Sequence, residues 1–211
     1  GRFPGCFRSR ALWPVRLAGL LEPVLYFPGG QYGLKLTSTS FSGVMVALIP
    51  LCSLVYGAIF LYEKATWRQV VFSVLSVAGV IVLAVYATGI GAGSFLGFLI
   101  LLGTVFAGAG YIVACRACSG SFTAFERTYI TCGMGAAAFG VLSVLEHRHD
   151  LSAVVLPLTH APFALAIVFL SVVASVLSYL ALNRALEVLP VARTAAPLTF
   201  SPVVSVLARV P

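Results

Sequence analysis

Glu22 lies five residues into an apolar stretch and is followed at once by Pro23. A carboxyl group at membrane depth is a functional candidate by default, and the chemistry it offers is proton coupling. The alternative is an interfacial carboxylate that reaches water or Arg16 from one turn inside the membrane edge. Pro50 and Pro202 each fall near the middle of a similar stretch. Each removes one backbone N–H and leaves a carbonyl without its helical partner. In lipid that carbonyl must find another donor, such as the Ser53 or Ser205 hydroxyl, or face a polar cavity. We read both prolines as hinge residues lining a midplane site.

Enzymatic constellations are missing. The chain contains no G-x-S-x-G, H-E-x-x-H or Walker sequence and no pair of intramembrane carboxylates, so no catalytic residues, metal or cofactor are expected. Of five cysteines, Cys115 and Cys118 form a single C-x-x-C, and Cys52 and Cys132 fall inside apolar stretches. Without a second pair or a nearby His, these are read as free structural thiols. His147-Arg-His149-Asp150 and His160 are read as a solvated polar loop. Gly89-Ile-Gly-Ala-Gly93 lacks the strand and acidic partner of a dinucleotide site. Gly93-x-x-x-Gly97 instead has the spacing that lets membrane helices approach, and Gly79, Gly103, Gly108, Gly110, Gly133, Gly135 and Gly140 extend that reading.

The elements that carry these residues are long and apolar. Hydrophobic residues make up 60% of the chain and charged ones 9%, with a mean hydropathy of +1.05. A soluble domain carries roughly 25% charged residues, so the missing solvent-facing surface is lipid-facing. Seven runs separated by short polar hinges are predicted to span: Leu17–Leu34, Phe41–Tyr62, Val70–Ala87, Phe95–Val113, Tyr129–Leu145, Ala161–Leu182 and Thr194–Val210. About 20 helical residues cross a bilayer, and the runs lack the alternation of barrel strands. The fold class is therefore all-α, a polytopic transmembrane bundle in one membrane domain.

Charge sorts by side. Arg2, Arg8, Arg10, Arg16, Lys64, Arg68, Arg116, Arg127, Arg184 and Arg193 fall on one side, and Lys35, Arg148 and Arg209 on the other. The positive-inside rule places the first group in the cytoplasm. The net charge of +7 is spread over hinges and forms no patch, so nucleic acid is not an expected partner. The expected partners are the lipid bilayer, a small-molecule substrate and, as an option, a second copy of the chain.

An internal offset of 152 residues aligns Val24-Leu25 with Val176-Leu177, Phe27 with Tyr179, Leu34 with Leu186, Pro50 with Pro202 and Ser53 with Ser205. It pairs the first span with the sixth and the second with the seventh. Moving five spans along reverses the direction of crossing, so the copies would be inverted, a symmetry common in secondary transporters.

Tyr32-Gly-Leu-Lys-Leu-Thr-Ser-Thr-Ser40, a span centred on Pro50, and Tyr62-Glu-Lys-Ala-Thr-Trp-Arg-Gln69 follow one another. Ala78-Gly79-Val80 and then Asn183-Arg-Ala-Leu-Glu-Val-Leu-Pro190 complete a pattern that resembles the EamA branch of the drug/metabolite transporter superfamily. The resemblance implies two inverted five-helix repeats with cytoplasmic termini, of which the seven spans resemble helices three to nine. Residues 1–16 would then be a basic cytoplasmic segment, 17–87 the end of the first repeat and 88–211 an incomplete second repeat. A fragment of a longer chain is expected. By the same resemblance, Tyr26, Pro50, Ser53, Tyr179, Thr199, Pro202 and Ser205 are candidates to line a central cavity. The implied function is secondary active export of amino acids or related amphipathic solutes across the plasma membrane. A truncated, non-transporting scaffold or subunit is the rival expectation. Glu63 with Lys64, and Glu187 with Arg184, are read as local ion pairs. Tyr111, Gln31 and Asn183 join the tyrosines as residues near helix ends, where aromatic belts form.

Overall fold

The computed structural model describes residues 9–88, 94–147, 159–195 and 197, and their regular structure is helical throughout. The first expected span starts early and is broken. Helix α1 runs Ser9–Gly19, a wide-turn segment covers Leu20–Leu25, and α2 runs Tyr26–Leu36. Helix therefore begins within the basic segment, because Leu12, Val15 and Ala18 form a buried stripe at helical spacing.

The second span is two helices, α3 at Thr39–Val46 and α4 at Ile49–Phe60. Ser38 caps α3 by accepting from the Phe41 N–H at 3.2 Å. Pro50 occupies the first turn of α4, where its missing N–H costs little. Helix α5 spans Trp67–Thr88, with the Thr66 N–H donating to Gln69 Oε1 at 2.8 Å.

Helix α6, Phe95–Ala117, is the axis of the molecule, with α1, α2, α4 and the wide-turn segment all packed on it. Helix α7, Ala124–Glu146, begins five residues before the expected Tyr129 because Thr123 and Glu126 form a capping box. The sixth span comprises α8 (Ala161–Phe169), a second wide-turn segment (Leu170–Leu177) and α9 (Ser178–Val188). A short α10 covers Val191–Ala195. Among the described residues, four helical stretches are long and apolar enough to cross a bilayer: Phe41–Phe60, Phe95–Ala117, Ala124–Glu146 and Ala161–Val188. The seventh expected span lies, after its first residues, outside the described residues.

Burial is uneven along the bundle. Tyr111 to Cys115, Arg127, Thr128, Asn183, Leu186, Val191 and Ala195 are buried at the end that carries the hinges after α4, α6 and α9. At the opposite end, no residue from Ala161 to Leu177 is buried against the described residues. Close approach depends on small residues at particular places. A Cβ on Gly135 would lie 2.4 Å from Pro23 Cγ, and one on Gly97 2.6 Å from Thr37 Cγ2. Gly108 and Gly110 also meet neighbouring side chains, but Gly79, Gly103, Gly133 and Gly140 have nothing within 4 Å among the described residues. The packing role expected of all seven glycines is therefore restricted to Gly108, Gly110 and Gly135.

Gly135→Ala should destabilise the bundle by about 1–3 kcal/mol, because the ring of Pro23 cannot swing away as a flexible side chain would. Gly133→Ala, two residues away on the open face, should melt within experimental error of the parent. Thermal unfolding in detergent micelles reads the difference.

Candidate functional site

The break in the first span sets up the site. Glu22 has φ −142° and ψ 120° inside an otherwise helical run, which interrupts the backbone ladder and turns the carboxylate toward its neighbours. Pro23 is buried against the Gly135 backbone, so the break is wedged between α6 and α7. Tyr179, at the start of α9, donates its hydroxyl to Glu22 Oε1 at 2.8 Å. Residues 157 positions apart thereby join the broken first span to the sixth. Taking a carboxyl group out of water is costly without such a donor.

Two further tyrosines, Tyr26 and Tyr111, stand beside this pair. The Tyr111 and Tyr179 rings meet edge to face with centroids 5.7 Å apart, a favoured aromatic geometry. Tyr26, one turn beyond Glu22, lays its ring over Gly108, where a Cβ would be 3.1 Å from Cε2. Asn183 continues the polar chain by donating to Tyr111 Oη at 3.3 Å and to Thr128 Oγ1 at 3.1 Å. Its own Oδ1, and the Oγ1 of Thr131, are buried with no hydrogen-bond partner. Tyr111 and Asn183 are both fully buried. They belong to the interior, so the interfacial belt expected of most of the tyrosines does not account for Tyr111.

The other cavity candidates behave differently. Ser53 is fully buried and donates to Pro50 O at 2.9 Å, one turn back on its own helix. Pro50 is thus the start of a helix whose local polar group is already satisfied. Its neighbour Ile49 touches the Gly108 position beside Tyr26, and this is the nearest approach of that helix to the tyrosine cluster that the packing of Gly108 defines. Thr199, Pro202 and Ser205 lie outside the described residues.

Beyond the tyrosines, at the hinge end, two arginines gather the helix termini. Arg127 is fully buried and donates to Cys115 O and Asn183 O, both at 2.8 Å, and to Glu187 Oε1 at 3.2 Å. Arg116 donates to Glu63 Oε1 at 3.0 Å, Leu186 O at 2.7 Å and Glu187 O at 3.3 Å. Glu63 Oε2 accepts from the Val191 N–H at 2.9 Å. Glu187 also accepts from the Ala124 N–H and pairs with Arg184. The expected Glu187–Arg184 pair is present, but Glu63 pairs across 53 residues with Arg116 and not with its neighbour Lys64. Helical spacing of Arg127, Thr128 and Thr131 at the start of an apolar helix was the available signal for this cluster. Their partners on α9 and beyond had none.

The C-x-x-C thiols lie beneath these arginines. Cys115 and Cys118 are free and buried, and the Cys118 thiol donates to Ala114 O at 3.1 Å. His147 places Nδ1 3.1 Å from Ser143 O, whereas Arg148, His149 and Asp150 lie outside the described residues, as does Gly89 to Gly93.

Replacing Tyr179 with Phe should cost about 1–3 kcal/mol of stability, the penalty for stranding a buried polar group. In a Glu22→Leu background the same change should cost almost nothing, because no carboxyl remains to be stranded. A double-mutant cycle on thermal melting measures both.

Residues 4–85 and 95–210 match the EamA-like transporter family. The chain is also similar to a Bacillus subtilis (strain 168) protein named "Uncharacterized transporter YcxC", with 33% identity over 171 residues. That alignment covers 80% of this chain and 55% of the relative, so the chain spans about half the relative's length. No solved structure matches. With both stretches of the family pattern matched and their polar residues meeting at one buried site, the chain belongs to the EamA-like transporter family.

Proposed function

We propose that the chain forms part of a secondary active transporter that exports amino acids or related amphipathic solutes across the plasma membrane by alternating access. One observation carries the reading: the broken first span and the sixth span, which has a wide-turn stretch, face each other and are joined by the Glu22–Tyr179 hydrogen bond. The irregular segments, Leu20–Leu25 and Leu170–Leu177, overlap when the first is shifted by the 152-residue offset to 172–177. A break in one span and a wide turn at the corresponding place in the other support an inverted repeat, and a broken helix commonly marks a transporter binding site. Family membership supports transport in general. The absence of a Walker sequence argues for a carrier driven by a gradient.

The surroundings of Glu22 favour a solute that bears an ammonium group. Its carboxylate and the rings of Tyr26, Tyr111 and Tyr179 offer charge and aromatic faces to an organic cation. A proton on Glu22 and an ammonium group beside it would satisfy the same carboxylate in turn, which is the logic of exchange. The excess of basic residues in alternate hinges places the arginine-rich end in the cytoplasm.

The experiment uses full-length protein in proteoliposomes loaded with radiolabelled amino acids. Efflux should accelerate when the outer solution is made acidic, and Glu22→Gln should remove that acceleration while leaving protein abundance unchanged. Efflux in the parent that ignores the proton gradient defeats the coupling, and no flux of any amino acid defeats the substrate class.

A further inference from the structure

Alternating access requires that one end of the bundle open and close, and the arginine-rich end contains two kinds of contact. Arg127 is dry: its side chain is 0% exposed, and it ties α7 to α9 through one carboxylate and one carbonyl while holding the last turn of α6. Arg116 and Glu63 are wetter, with side chains 25% and 22% exposed. They connect α6 and the end of α9 to the hinge after α4, and Glu63 completes the link by holding the Val191 N–H. A buried charge pair is costly to separate because the partners left behind stay unsolvated. A pair that water already reaches in part, as it reaches Arg116 more than Arg127, separates at lower cost because water replaces each partner as it leaves.

We propose that Arg116, Glu63 and the Val191 N–H form the latch of a cytoplasmic gate, and that Arg127 with Asn183 and Glu187 is the fixed anchor about which it opens. The proposal rests on the alternating-access reading above. Packing at the latch supports separability. A Cβ on Gly57 would meet Val191 only at ordinary van der Waals distance, 3.4 Å, so α4 and α10 touch without interlocking. A crevice of about 100 Å³, lined by Gly57, Glu63, Lys64, Val191 and Arg193, lies directly beside the latch and provides the path by which water enters. Parting there would expose Val191, now 1% exposed, while Cys115 stays closed behind the anchor.

The test uses the full chain in inside-out membrane vesicles, with Val191→Cys as reporter and native Cys115 as internal control. A membrane-impermeant maleimide is added and each site is quantified by peptide mass spectrometry, so no substrate is needed. Glu63→Gln and Arg116→Gln should each raise labelling of the reporter about tenfold, with Cys115 unchanged. The double variant should label no faster than either single one, because both break the same latch. Parent-like labelling in the single variants overturns the proposal, as does labelling that rises equally at Cys115. Should a Gln variant fail to accumulate, Glu63→Asp, which retracts the carboxylate by one methylene, must give the same rise. Latch behaviour as described, without amino-acid efflux from the parent, would defeat the export reading alone.

Discussion

Inside hydrocarbon, a polar group that loses its partner has no water to replace it, and the whole arrangement follows from how Glu22 meets that condition. The chain breaks its first helix there, so the backbone and the carboxyl group both need partners. Pro23 settles into the groove left open by Gly135, and Tyr179 reaches from the sixth span to supply a donor. A helix break that would be costly alone becomes the point at which distant parts of the chain are held together. The Tyr111 ring packs edge to face on Tyr179, and Asn183 hydrogen-bonds Tyr111 and Thr128 toward the hinge end.

The same condition shapes that end. Helices finish with carbonyls that lack intrahelical donors, and here two guanidinium groups supply them. Arg116 takes the carbonyls of Leu186 and Glu187, and Arg127 takes that of Cys115 and, further inside its helix, that of Asn183. Planar, multidentate donors suit this work better than ammonium groups would. Both arginines also hold carboxylates, so helix capping and charge compensation are met by the same atoms. Arg127 is fully buried and Arg116 a quarter exposed, and that difference in solvation separates the proposed anchor from the proposed latch.

Small residues decide where backbones meet, but only where a neighbour is present. Gly97 and Gly135 admit a second chain segment, whereas Gly79, Gly103, Gly133 and Gly140 meet none among the described residues. Spacing alone cannot distinguish them, because a helix presents glycine to lipid and to protein with the same periodicity. Pro50 lies in the first turn of its helix, where a missing N–H costs little, and its own carbonyl accepts from Ser53.

The amino-acid sequence by itself determined the helical class, the approximate limits of most spans and the candidacy of Glu22, while Tyr26 and Tyr179 entered through the family resemblance. The first three follow from local rules, since hydropathy fixes what can sit in lipid and marks a carboxyl group placed there. Only the tertiary structure decided that Glu63 answers Arg116, that Arg127 is buried, and that Asn183 and Tyr111 are interior. Each of those outcomes depends on which helix faces which, and partners 53, 60 and 72 residues apart leave no periodic trace in the chain. In an apolar solvent the choice among faces is made by the few polar groups that must find one another, because one apolar face packs against lipid about as well as against another helix.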